Sequence, residues 1–147
     1  MPFIERITDR SSMLAWSDHL PLQYKYSLGV MGEKFSKAIR EGRLVAAHCD
    51  GCGRSFIPPA AYCTKCFRKV SGVVDVDQST GTVYTYTSKQ GRTLVAVKFE
   101  GVEGVLIHLY AQGAGEPSIG QKVKPAFKPA SKRVGSIQDI EWFEPKR

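Results

Sequence analysis

Four cysteines are the residues of this 147-residue chain whose types and spacing can do definite chemistry. Cys49-Asp-Gly-Cys52 and Cys63-Thr-Lys-Cys66 form two CxxC units, with residues 53–62 between them. Two thiolates three positions apart grip one ion from a single tight turn, and a second such turn completes a tetrahedron. Gly51 and Gly53 permit the positive φ that the first turn needs. With four thiolates the coordination sphere is full, so the expected ion is structural: zinc in the first place, with iron as the competitor that a four-thiolate site also accepts. Two disulfides are the alternative in an oxidising compartment, whereas redox CxxC motifs do not usually come as a pair of pairs. Met1-Pro2-Phe3-Ile4-Glu5 lacks the order of a secretory signal, so a cytoplasmic protein with reduced thiols is expected. His48 adjoins the first ligand and reads as an ordinary strand residue, because the shell is already complete.

Other chemistry is scarce. His19 and His108 are isolated from any serine or cysteine motif, no GxSxG or HExxH occurs, and the Gly-rich pieces 101–104 and 113–115 read as turns. The chain is therefore not expected to be an enzyme by itself. Its 21 Lys plus Arg against 14 Asp plus Glu give a formal charge of +7, which favours an anionic partner without naming one. From Lys122 to Arg133 the sequence carries Lys122, Lys124, Lys128, Lys132 and Arg133 with no acid. That run makes either an anion-binding surface, joined by Lys89, Arg92 and Lys98, or a solvated basic loop. Tyr84 and Tyr86, two apart on one strand, are either a stacking platform for a base or core residues.

Three kinds of element must position these residues. Residues 1–43 read as a helical arm: Asp9 or Ser12 can cap a short helix over Met13, Leu14 and Trp16. A second helix from about Gly32 to Glu41 has Phe35, Ala38 and Ile39 on one face, and Gly42 suits the left-handed position after its end. Between the two helices, Tyr24 to Gly29 is too apolar for a free linker and must pack on something. Residues 44–70 lose the helical period and alternate short strands with the two CxxC turns. Residues 71–147 turn to strands, expected at 82–87, 93–99, 104–110, 123–128 and 137–143. Five strands without a long helix suit a small closed barrel of the OB type rather than a sandwich. Pro125 has no N–H and points to an edge or bulge in the fourth strand.

The order of these parts, an aromatic helical N-terminus, Cys49-x-x-Cys52-Gly53, Pro58-Pro59, Cys63-x-x-Cys66-Phe67 and then Gly81-Thr-Val-Tyr-Thr-Tyr-Thr87, resembles the DUF35 family over residues 24–143. The resemblance implies a mainly β protein: a helical N-terminal arm, a rubredoxin-like zinc ribbon and a five-stranded OB-fold barrel. It also implies a noncatalytic partner of thiolases, hydroxymethylglutaryl-CoA synthases or related acyl-CoA enzymes, in some cases holding CoA while a thioester passes between active sites. Under that reading Lys89, Arg92, Lys98, Lys124, Lys128 and Arg133 meet the CoA phosphates, and Tyr24, Tyr26, Phe35 and Ile39 of the arm meet the partner. Many members carry an arginine after the two prolines. This chain has Ala60-Ala61, leaving Arg54 or Arg68 as substitutes.

Two other functions fit the same residues. A single-stranded nucleic-acid binder would use the barrel, the ribbon and stacking tyrosines. A scaffold that only stabilises a larger enzyme would need no ligand.

Overall fold

The computed structural model describes residue 23 and residues 25–146, so Tyr24 and the short helix expected over Met13 to Trp16 lie outside the described residues. Helix α1 spans Gly29–Glu41 and buries Met31, Ala38 and Ile39. It stops where expected, at Gly42 with φ +81, and the N–H groups of Gly42 and Arg43 close the last turn on the carbonyls of Ile39 and Ala38, each at 2.9 Å.

Three short antiparallel strands follow in the order β2-β1-β3: β1 Val45–Cys49 in the middle, β2 Arg54–Phe56 and β3 Gly72–Asp75 at its sides. Flanked on both edges, β1 is the most buried of the three, and its Cys49 end delivers the first ligand. The remaining strands are β4 Thr82–Lys89, β5 Arg92–Lys98, β6 Leu106–Leu109, β7 Val123–Phe127 and β8 Ile140–Pro145. They form two continuous ladders, β4-β5-β6 and β7-β8. Single bridges join them: Thr82 to Lys122 antiparallel, and Tyr110 to Phe143 parallel. Around these bridges Val123 N–H donates to the Gly81 carbonyl, and Ala111 N–H to that of Phe143, both at 2.9 Å. The strands thus run β4-β5-β6-β8-β7 and back to β4, a five-stranded Greek-key barrel with a loose seam between β6 and β8. At the other closure a Cβ on Gly81 would stand 2.4 Å from the Val123 carbonyl oxygen, so only glycine lets the two chains meet.

Two of the expected strands start later than their sequence suggests. β6 starts at Leu106 because Gly104, at φ +88, turns the chain tightly against the Ile57 carbonyl. Residues Ile137–Asp139 form a 3-10 turn instead of the start of the last strand. The cause is Asp139, whose buried carboxylate accepts from the N–H groups of Val134, Gly135 and Ser136 at 2.9, 2.6 and 3.2 Å. Pro125 sits next to a register irregularity, between Ala126 and Phe127, as its missing N–H demands.

One core runs through helix, ribbon and barrel. Ile39, Leu44, Ala46 and Ile57 pack with Val83, Val95, Val97, Val123, Ile140 and Phe143. A smaller cluster of Met31, Ala47, Phe56 and Val70 surrounds Cys49 and Cys63. β3 pairs with β1, so the sheet that carries the first ligand turn continues past residue 70.

Candidate metal centre and ligand cleft

The four sulfurs converge. Cys49 Sγ lies 3.5 Å from Cys66 Sγ and Cys52 Sγ 3.6 Å from Cys63 Sγ, with all four within 4.8 Å of one another. A regular tetrahedron with metal–sulfur bonds of about 2.3 Å has edges of about 3.8 Å, so the spacing fits one ion bound by all four. Each pair comes from a matched turn. Cys52 and Gly53 donate to the Cys49 carbonyl at 3.2 and 2.7 Å, and Phe67 donates to that of Cys63 at 3.0 Å. The residue after each second cysteine is left-handed, Gly53 at φ +66 and Phe67 at φ +54. The backbone N–H groups of Cys66 and Lys65 pull the Cys63 thiol down to about 6, while desolvation, reinforced by its neighbouring sulfurs, pushes Cys52 up to about 12. Four thiols this close cannot all ionise unaided, and a divalent cation supplies the missing charge. His48 is not a ligand: its Nδ1 lies 3.0 Å from Ser55 Oγ on the paired strand.

A second feature lies in the barrel seam. Where β6 and β8 diverge below the Tyr110–Phe143 bridge, a cleft of about 580 Å³ opens. Its apolar wall is Leu109, Tyr110, Ile140 and Trp142; Arg92 and Lys128 supply positive charge and Glu141 negative. His108 lines it as well. Desolvation lowers the His108 pKa against a backbone hydrogen bond at Ile137 that raises it, and its Nδ1 accepts from the Leu109 N–H at 2.8 Å. The turn anchored by Asp139 brings Gln138 to the same wall.

The expected cationic set divides. Arg92 and Lys128 line the cleft, and Lys89 joins Arg92 at an adjoining hollow with Leu94 and Leu109. Lys89 and Arg92 face each other across a two-residue hairpin whose Gln90 and Gly91 are both left-handed. Lys98 is at the far end of β5, roughly 20 Å along the strand, with its ammonium 4.1 Å from the Tyr84 ring centroid. Lys124 pairs with Glu144 at 3.1 Å. Arg133 is turned inward, donating to the Lys128 carbonyl at 2.6 Å and lying over Phe127. Of the two proposed substitutes for the missing arginine, Arg54 pairs with Glu103 and Arg68 lies against Gly51.

Two readings from sequence need correction. Ile39 is 1 % exposed and so is not available to a partner, Phe35 is half-buried against the same core, and Tyr26, at 80 %, is exposed. Tyr84 and Tyr86 do not share a face, because a bulge between Val83 and Thr85 inserts Tyr84 as an extra residue. Tyr84 is exposed, whereas Tyr86 packs on the core with its phenol pKa raised by the Glu116 carboxylate. His108, isolated from any serine or cysteine motif, lies in β6 and lines the cleft as well. No local signal marks it, since the cleft exists only through the meeting of β6 with β8.

Known proteins share the ribbon and the fold. Residues 36–70 match the family model for the ChsH2 rubredoxin-like zinc ribbon domain. No curated protein matches the chain. Among solved structures, a DUF35-family protein of unknown function from Sulfolobus solfataricus is similar with a TM-score of 0.65 and 22 % identity, over 80 % of this chain and 87 % of that one. A chain of the Ltp2-ChsH2(DUF35) aldolase is similar with a TM-score of 0.57 and 21 % identity, over 77 % of this chain and 92 % of that one. The turns that gather the four cysteines thus match a rubredoxin-like zinc ribbon of the ChsH2 type, and the helix, ribbon and barrel together have the fold seen in DUF35-family structures.

Proposed function

We propose that this chain is a noncatalytic accessory protein that holds CoA or a CoA thioester while docked on a thiolase-like or hydroxymethylglutaryl-CoA synthase-like enzyme, which performs the chemistry. The observation that carries the reading is the seam cleft. Its volume suits a small-molecule site, its apolar wall suits a pantetheine arm, and Arg92 and Lys128 suit phosphates. The ribbon's ion is zinc, with a closed shell that offers no catalytic position. The aldolase among the structural relatives supports a place beside an enzyme. No helix among the described residues is long and apolar enough to cross a membrane, in keeping with a cytoplasmic role. The nucleic-acid reading is weakened, because Tyr84 and Tyr86 form no stacking platform.

Calorimetric titration with CoA, acetyl-CoA and a single-stranded oligonucleotide at two salt concentrations tests the proposal. CoA is expected to bind, and Arg92→Ala or Lys128→Ala to weaken it roughly ten- to hundredfold, as the loss of one charged hydrogen bond of about 1.5–3 kcal/mol requires. Tight oligonucleotide binding that collapses with salt, with no heat from CoA, would replace this function with the nucleic-acid one.

A further inference from the structure

Phe67 occupies a position that its side chain makes costly. Its φ of +54 lies in the left-handed region, which a bulky residue seldom enters. The matching position of the first cysteine turn is Gly53, which meets the same geometric demand without strain. Packing does not explain the aromatic ring, because Phe67 is 79 % exposed. Nor is the backbone free to relax: Cys63 N–H donates to the Arg68 carbonyl at 3.0 Å, Val70 N–H to that of Ala61 at 2.8 Å, and Tyr62 bridges Lys69. The ribbon tip therefore presents a fixed, outward ring.

Its surroundings state what the ring meets. Tyr62, 61 % exposed, is a second aromatic on the same hairpin. Residues 62–69 also carry Lys65, Arg68 and Lys69 and no acid. None of the three forms an ion pair among the described residues. An aromatic anchor with a cationic rim is complementary to an apolar socket ringed by carboxylates, and aromatic and arginine side chains are the usual anchors of protein interfaces. We infer that the tip of the ribbon, with Phe67 as its anchor, is the surface by which this chain docks on its enzyme, in an apolar socket with an acidic rim. The inference rests on the docking half of the proposed function and is independent of the CoA cleft, which lies in the barrel seam.

The test uses the full metal-loaded chain and the acyl-CoA enzyme that copurifies with it from native cells, identified and then produced separately. Phe67→Gly should leave the melting temperature unchanged or raised, leave CoA titration unchanged, and weaken the enzyme at least tenfold. Lys65→Glu with Lys69→Glu should weaken it further as a charge reversal. A benzoylphenylalanine placed at position 67 should crosslink to an acid-rimmed surface of the enzyme. A marked fall in melting temperature for Phe67→Gly would make the ring a packing residue. Unchanged affinity, or crosslinks to residues 1–22 or to a second copy of this chain, would likewise overturn the inference. If no acyl-CoA enzyme copurifies, the docking reading itself fails; if one does but binds Phe67→Gly as tightly as the parent chain, only the inference fails.

Discussion

Gly104→Ala is the sharpest test of how ribbon and barrel are joined. At that junction Ile57 N–H donates to the Glu103 carbonyl at 2.9 Å, and Glu103 N–H donates to that of Ser55 at 2.8 Å. A Cβ at Gly104 would stand 2.1 Å from the Ile57 carbonyl oxygen, where carbon–oxygen contacts are normally about 3.3 Å or more. The junction must therefore open by about 1 Å. Overpacking of this kind costs about 1–3 kcal/mol. The left-handed φ of +88 adds about 1–2 kcal/mol for any residue with a Cβ, offset by about 0.5–1 kcal/mol from a less flexible unfolded chain. The net loss is about 2–4 kcal/mol, or a fall in Tm of about 8–16 °C for a chain of this size. Gly101→Ala is the control. It shares a left-handed φ, +70, but nothing lies within 4 Å of its added Cβ, so about 1 kcal/mol and about 4 °C are expected. Differential scanning calorimetry on both variants gives the comparison. Equal falls in Tm would refute the close approach.

Elemental analysis should find one zinc per chain, and a strong chelator or Cys52→Ser should unfold the ribbon, since a structural zinc contributes on the order of 10 kcal/mol. A chelated chain with its original Tm would contradict a structural role. Asp139→Ala should cost roughly 3 kcal/mol by stranding three backbone N–H groups, seen as lost hydrogen-exchange protection at Val134 to Ser136. Intact protection there would show that the carboxylate does not order this turn. Desolvation holds the folded His108 pKa below the ordinary value of about 6.5. As pH falls through about 6.5, the unfolded chain takes up this proton first, so stability drops until the folded pKa is reached and is level below it. His108→Gln should remove that part of the slope in urea midpoints between pH 7.5 and 5, and an unaltered slope would assign it to other groups.

The metal centre was legible in sequence because its ligands come in pairs three apart, and the chemistry of sulfur does not depend on what surrounds the turn. Helix α1 was legible for a similar local reason, its period and the glycine after it. What failed were statements about faces. The apolar side of α1 announces that Phe35 and Ile39 need cover, but not that the cover is the chain's own barrel. A single inserted residue at Tyr84 reverses which side a tyrosine takes, and period alone does not reveal it. Asp139 overrides strand propensity at residues 137–139 by collecting three N–H groups that lie up to five positions earlier. The cationic set scattered because its members meet or part according to register across the barrel, which no local pattern encodes.

The sharing of one core between Ile39, Leu44, Ala46, Ile57 and the barrel strands has a consequence for any attempt to divide the chain. Neither half can be transplanted whole. A gene fusion that borrowed only the cysteine turns, or only the last five strands, would carry away a severed interior and a bare sheet edge. Substitutions in the loops, by contrast, leave the shared interior intact.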